Sequence, residues 1–106
     1  MSAKRKGIRR EWELRKILLE KGYLVIRSSA SRTGVDILAG NGKEVIAFQV
    51  QSSAYVPEEK LKALEKYAKA FKAKAVIAVK SKGKWIFVEV KNLKKTPKGW
   101  KIPIDN

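Results

Sequence analysis

The chain reads as an α/β protein in which a mixed β-sheet is flanked by helices. Three observations predict this. Two segments, Ile8 to Lys21 and the stretch after Pro57, space apolar residues as helices do, and short apolar runs typical of strands lie between and after them. An Asn-Gly pair at 41–42 separates two of those runs, which is a strong hairpin signal. The order is thus helix, three strands, helix, two or more strands. With 106 residues, one domain spanning 1–106 is the simplest reading.

The elements can be justified in turn. After the basic arm Lys4, Arg5, Lys6 and Gly7, the apolar positions Ile8, Trp12, Leu14, Ile17, Leu18 and Leu19 predict a helix with a broad buried face. Gly22 is a natural stop, Tyr23 to Ile26 reads as a strand, and the loop "RSSASRTG" follows. Val35 to Ala39 and Val45 to Gln51 then form the two arms of an antiparallel hairpin. Pro57 suits the first helical position, and Glu58 and Glu59 complement the positive helix end. Leu61, Leu64, Ala68 and Phe71 make the core stripe of this second helix, with Tyr67 beside them. Ala75 to Val79 and Trp85 to Val90 are further strands, and the proline-bearing tail "TPKGWKIPIDN" suits only a short edge strand.

Charge narrows the function. Lys and Arg total 25 against 10 acidic residues, a formal charge of +15, which favours a polyanionic partner and nucleic acid first. The plainer reading is a solubilising or heat-adapted surface, but thermophile surfaces raise Glu together with Lys. With neither Cys nor His, the chain has no disulfide, no structural zinc site and no His-dependent triad. The start "MSAKRKG" has no apolar core of a signal peptide and no apolar run approaches 18 residues, so a cytoplasmic, nucleoid-associated protein without membrane contact is expected.

Glu11 in the first helix, Asp36 entering the second strand, and Gln49 and Gln51 ending the third carry the argument. An acid, a hairpin and then two polar residues one apart is how a metal-dependent nuclease arranges its site. Magnesium needs oxygen ligands, carboxylates above all, and a lysine orients water or stabilises the developing charge. Taken singly, each has a bland reading: Asp36 a cap, Glu11 a first-turn acid, the glutamines a polar exposed strand end.

The stretches "RKGIRREWEL", "GYLVIRSSASRTGVDILAGNGKEVIAFQVQS" and "AVIAVKSKGKWIFVEV" together resemble the archaeal Holliday junction resolvases of the PD-(D/E)xK nuclease superfamily, over roughly residues 4 to 90. The resemblance implies a restriction-endonuclease-like fold, a homodimer acting on four-way DNA junctions, and a metal site at Glu11, Asp36, Gln49 and Gln51, with Ser31 as the loop serine linked to activity. In this chain the Glu-x-Lys of the family is Gln-x-Gln. That removes a charged ligand at 49 and the cation at 51, leaving Glu11 and Asp36 for at best weakly bound magnesium. One electrostatic donor is worth about 2.7–4 kcal/mol in such sites, so little or no cleavage is expected.

The leading expectation is therefore a resolvase-like protein that binds branched or duplex DNA with cleavage impaired. The alternatives are an active metal-dependent junction endonuclease using Glu11, Asp36 and the Gln49 amide, and a general nucleoid or RNA-binding protein. Lys4, Arg5, Lys6, Arg9, Arg10, Arg27, Arg32 and Lys43 are the phosphate-contact candidates. A recombination protein of unstated identity is a further expected partner. A literal Glu-x-Lys at Glu89 and Lys91 lacks a partner aspartate a hairpin away and reads as surface. Trp12, Trp85, Tyr67 and Phe71 are expected as core or dimer contacts rather than base-stacking platforms.

Overall fold

The structure is a computed structural model that describes the backbone of residues 3–28 and 34–103, with side chains from Arg9 onward in those ranges. Helix α1 (Ala3–Glu20) is followed by β1 (Leu24–Arg27), β2 (Ile37–Gly40), β3 (Val45–Gln51), the two-residue β4 (Tyr55–Val56) and helix α2 (Glu58–Ala70). Strands β5 (Lys74–Ser81) and β6 (Lys84–Glu89), a 3-10 turn (Val90–Asn92), β7 (Lys94–Thr96) and β8 (Gly99–Lys101) complete the order.

Five strands form one mixed sheet in the order β1-β2-β3-β5-β6. Only β3 and β5 run parallel, joined through α2, as a crossover between parallel strands requires. The sheet has a core on each face. Leu14 and Leu18 of α1 pack on Ile37, Ala39, Phe48, Val76 and Ala78. On the other face Leu61, Leu64 and Ala68 of α2 pack on Ala47, Ile77 and Val79. Leu14, Ile37, Leu64 and Ile77 are wholly buried, each worth about 1.5–3 kcal/mol of apolar burial.

The Asn-Gly hairpin forms as the sequence predicts. Asn41 Oδ1 accepts the backbone N–H of Lys43 and Glu44, both at 2.9 Å, and Gly42 takes a φ of +88° that other residues adopt only with strain. Strand β3 pairs Ile37 with Phe48 across this hairpin.

Several expectations need correction. Helix α1 starts at Ala3, five residues before the apolar periodicity, so the basic arm is helical. Gly7 costs a helix interior only about 1 kcal/mol and does not end it. Trp12 is 51% exposed and Leu19 is also exposed, because two residues turn a helix by about 200° and carry Trp12 away from Leu14. Pro57 is the N-cap of α2, not its first residue, and its carbonyl accepts the N–H of Lys60 and Leu61. Phe71 lies outside the core at 55% exposure, since α2 ends at Ala70 and the chain leaves through Lys72 at a φ of +54°. The tail forms two strands, and with β4 they make a separate antiparallel sheet in the order β4-β8-β7.

Candidate nuclease site

Asp36, Gln49 and Gln51 are the buried polar residues among those described, which rules out an exposed strand end as the explanation of the glutamines. Asp36 enters β2 next to the end of β3. Its N–H donates to the Phe48 carbonyl at 2.8 Å, and its Oδ2 accepts the N–H of Val50 at 2.7 Å. The aspartate is therefore fixed to the backbone between the two glutamines.

Gln49 and Gln51 share the face of β3 that carries Ala47 toward the α2 core, lying beside Ile77 and Val79 of β5. Their amides behave differently. Gln51 Nε2 donates to Ser53 Oγ at 3.2 Å and to the Tyr55 carbonyl at 2.9 Å, tying the strand end to β4. Gln49 Oε1 is buried with no hydrogen-bond partner. Such an acceptor costs about 1–3 kcal/mol unless something fills it.

Glu11 reaches the same end of the sheet from α1. Burial raises its pKa above the ordinary carboxylate value, the nearby Asp36 carboxylate adds to this, and Arg27 partly opposes it. Arg27 Nε lies 3.6 Å from Glu11 Oε1, with its guanidinium 5.4 Å from the Trp12 ring centre. Arg15 lies over the same ring at 5.1 Å. Glu13, two residues on, pairs instead with Lys80 at 2.9 Å, so Glu11 is the helix acid that lies beside Asp36.

The structure thus brings Glu11, Asp36 and Arg27 together and sets the glutamines at Asp36. Arg9 and Lys43 are exposed, while Arg10 Nη1 is buried without a hydrogen-bond partner. The side chains of Lys4, Arg5 and Lys6 and the whole of Ser31 and Arg32 lie outside the described residues. Glu89 and Lys91 form a salt bridge with each other at 3.1 Å, consistent with surface residues. Sequence reasoning missed Ser53 and Tyr55 as partners of Gln51; the polar run "QSSAY" was the available sign.

A divalent cation can be tested against these donors. Among the described residues no group of three or more His, Cys, Asp or Glu is placed to hold a metal ion. Two carboxylates and an unfilled buried amide oxygen nevertheless fit a hard, oxygen-seeking cation that takes its other ligands from water and phosphate, as magnesium does. No helix among the described residues is long and apolar enough to cross a membrane.

Comparison with known proteins bears on the family and the fold. The description "Archaeal holliday junction resolvase (hjc)" fits residues 2–105. The crossover junction endodeoxyribonuclease Hjc of Methanocaldococcus jannaschii is 35% identical over 88 residues, 79% of this chain. This chain spans 65% of that relative's length. The enzyme of the same name from Archaeoglobus fulgidus is 33% identical over 108 residues, covering 93% of this chain and 79% of the relative. The solved structure of the Archaeoglobus fulgidus Hjc, described as a Holliday junction resolvase from an archaeal hyperthermophile, superposes with a TM-score of 0.83 at 32% identity. It covers 92% of this chain and 83% of that one. With its fold and nearly its whole length matched, the chain belongs to the archaeal Holliday junction resolvase family.

Proposed function

We propose that this chain is a metal-dependent endonuclease acting on four-way DNA junctions, with Glu11, Asp36 and the Gln49 amide oxygen as its metal-facing groups. The observation that carries this reading is Gln49 Oε1, a buried acceptor left unfilled at the strand that holds Asp36. The relatives' names, crossover junction endodeoxyribonucleases, support cleavage rather than its loss. The loss expected from the glutamines finds no support among those relatives.

A divalent cation, when bound, supplies the positive charge that activates water and steadies the phosphate's developing negative charge. Asp36 is held for this by the Val50 N–H, which leaves its rotamer little freedom. Glu11, with a raised pKa, holds its proton more readily than an ordinary carboxylate when no cation faces it. Arg27 adds a guanidinium beside Glu11, a group suited to pairing with a phosphate oxygen. Two copies of the chain suit a junction's two-fold symmetry, and the exposed Tyr67, Phe71 and Ile26 offer an apolar surface for that pairing. The setting is cytoplasmic and nucleoid-associated.

A second reading, a junction binder with blunted cleavage, is favoured by Gln51. Its neutral amide stands where the family pattern has Lys and is already engaged by Ser53 and Tyr55.

The deciding experiment is cleavage of a four-way junction across magnesium and manganese titrations, for the natural chain and for Gln49→Glu/Gln51→Lys. Cleavage by the natural chain is expected, with the double variant needing less metal and cutting about 10²–10³-fold faster. Cleavage by the double variant alone establishes the binder. Equal affinity for junction, duplex and single strand points instead to a general nucleoid or RNA-binding protein.

A further inference from the structure

Strands β7 and β8 form a basic hairpin separate from Glu11, Asp36 and the glutamines. The register places Lys94 directly opposite Lys101, and Lys101 opposite Tyr55 of β4, so all three lie on one face of the small sheet. The alternate face carries Val56, Trp100 and Lys95, and packs Val56 and Trp100 against the α2 core. In the turn, Lys98 lies over the Tyr55 ring with Nζ 5.9 Å from its centre. The outward face therefore gathers Lys94, Lys98 and Lys101 around one tyrosine.

Two nearby lysines have acids beside them. Lys95, on the inner face, lies 3.4 Å from Glu58, and Lys91 lies 3.1 Å from Glu89. Among the described residues, Lys94, Lys98 and Lys101 have no acidic partner within 4.0 Å. Like charges directly opposite each other destabilise a strand pair, so this arrangement weakens the hairpin until an anion covers it. The face also adjoins the site, because the Tyr55 carbonyl between β3 and β8 accepts from Gln51 Nε2.

We infer that the outer face of the β7–β8 hairpin is a second DNA-contact surface, on which Lys94, Lys98 and Lys101 hold the phosphate backbone of a duplex arm leaving the site. This rests on the junction reading above for the arm's origin, whereas the phosphate contacts themselves need only duplex. Contacts of this kind carry affinity and salt dependence with no base preference.

The test is the slope of log Kobs against log salt, in EDTA, for a four-way junction and for linear duplex. The variant is Lys94→Gln/Lys98→Gln/Lys101→Gln. Its control, Lys62→Gln/Lys66→Gln/Lys69→Gln on an exposed face of α2, removes the same net charge elsewhere. At about 0.9 per phosphate contact, three contacts predict that the hairpin variant's slope falls by about 2.7 on both substrates while the control's stays unchanged. Equal slopes for hairpin variant and control overturn the inference, as does a natural chain that binds neither DNA. A slope difference on duplex without junction preference upholds the hairpin and removes the junction reading instead. Thermal unfolding keeps the result interpretable: the hairpin variant is expected to unfold at the natural temperature or above it. Should it unfold earlier, Lys98→Gln alone, in the turn, must lower the slope by about 0.9.

Discussion

Val50 donates its backbone N–H to Asp36 Oδ2 at 2.7 Å, and Val50 is the residue between Gln49 and Gln51. One hydrogen bond therefore sets the distance from the aspartate to both glutamines. Asp36→Ala leaves a partly buried N–H unpaired and is expected to lower stability by about 1–3 kcal/mol in urea unfolding. Asp36→Asn retains an acceptor and is expected to lose less than about 1 kcal/mol, yet to abolish metal-dependent cleavage. Equal destabilisation by the two changes would show that the charge, and not the hydrogen bond, holds this strand end.

Glu11 gives a pH dependence with a definite sign. Its pKa is raised in the folded chain by burial first and by Asp36 second. Between the ordinary value of 4.5 and the raised one, the folded state binds more protons than the unfolded state, so stability falls as pH rises through that window. Above the window the penalty is complete. Glu11→Gln is thus expected to unfold at a higher temperature than the natural chain at pH 7, with the gain vanishing well below pH 4.5. The loss of a 3.6 Å pair with Arg27 works against this, but a loosely spaced, partly solvated pair contributes little. A variant less stable than the natural chain at pH 7 contradicts the assignment.

How far these features were legible in the sequence depends on whether local patterns created them. Strand β3 appears with the bounds Val45–Gln51 that its apolar run predicts, and Asn41 and Gly42 make the turn that their chemistry favours. Glu11 and Asp36 could be paired as candidates from the sequence, and in the fold the two carboxylates lie close enough to interact electrostatically. Burial was harder to read. Trp12 and Phe71 sit near the helical stripes in sequence but face outward, because one lies about 200° from Leu14 and the other beyond the end of α2. Strand β4 is two residues long, too short for any periodicity, and exists because Tyr55 and Val56 pair with Lys101 and Trp100 far along the chain. The partners of Gln51 lie within the run "QSSAY", so a local sign of them existed, whereas the placement of the basic hairpin beside them depends on that non-local pairing and had none.

Gly34 locks α2 to the strand entry that carries Asp36. It has a φ of +78°, and a Cβ placed there would lie 2.7 Å from Ala63 Cβ and 3.0 Å from Leu64 N. Gly34→Ala meets both a backbone penalty and a collision, for an expected loss of about 2–3 kcal/mol or more. The collision can be separated from the φ penalty by a double-mutant cycle. In an Ala63→Gly background the Gly34→Ala loss is expected to shrink by at least about 0.5 kcal/mol. An unchanged loss means that φ alone is responsible and that α2 does not press on this glycine.

Tyr67 on the same helix and Phe71 just beyond its end face a surface the single chain leaves uncovered. They are 37% and 55% exposed, and Ile26 on the edge strand β1 is 69% exposed. With Leu38, Ala47 and Asp36 they line a hollow of about 290 Å³, so the apolar patch adjoins the site. Apolar side chains this exposed add little to a monomer's stability, whereas covering them by a second copy removes them from water. Phe71→Glu is therefore expected to change urea unfolding extrapolated to the monomer by less than about 0.5 kcal/mol. Sedimentation should nonetheless fall from a dimer to the 12.0 kDa single chain. Burying a carboxylate in the interface without a partner costs several kcal/mol, enough to separate the copies at micromolar concentration. A natural chain that already sediments as a monomer, or a Phe71→Glu variant that remains a dimer, shows that this surface is not where two copies meet.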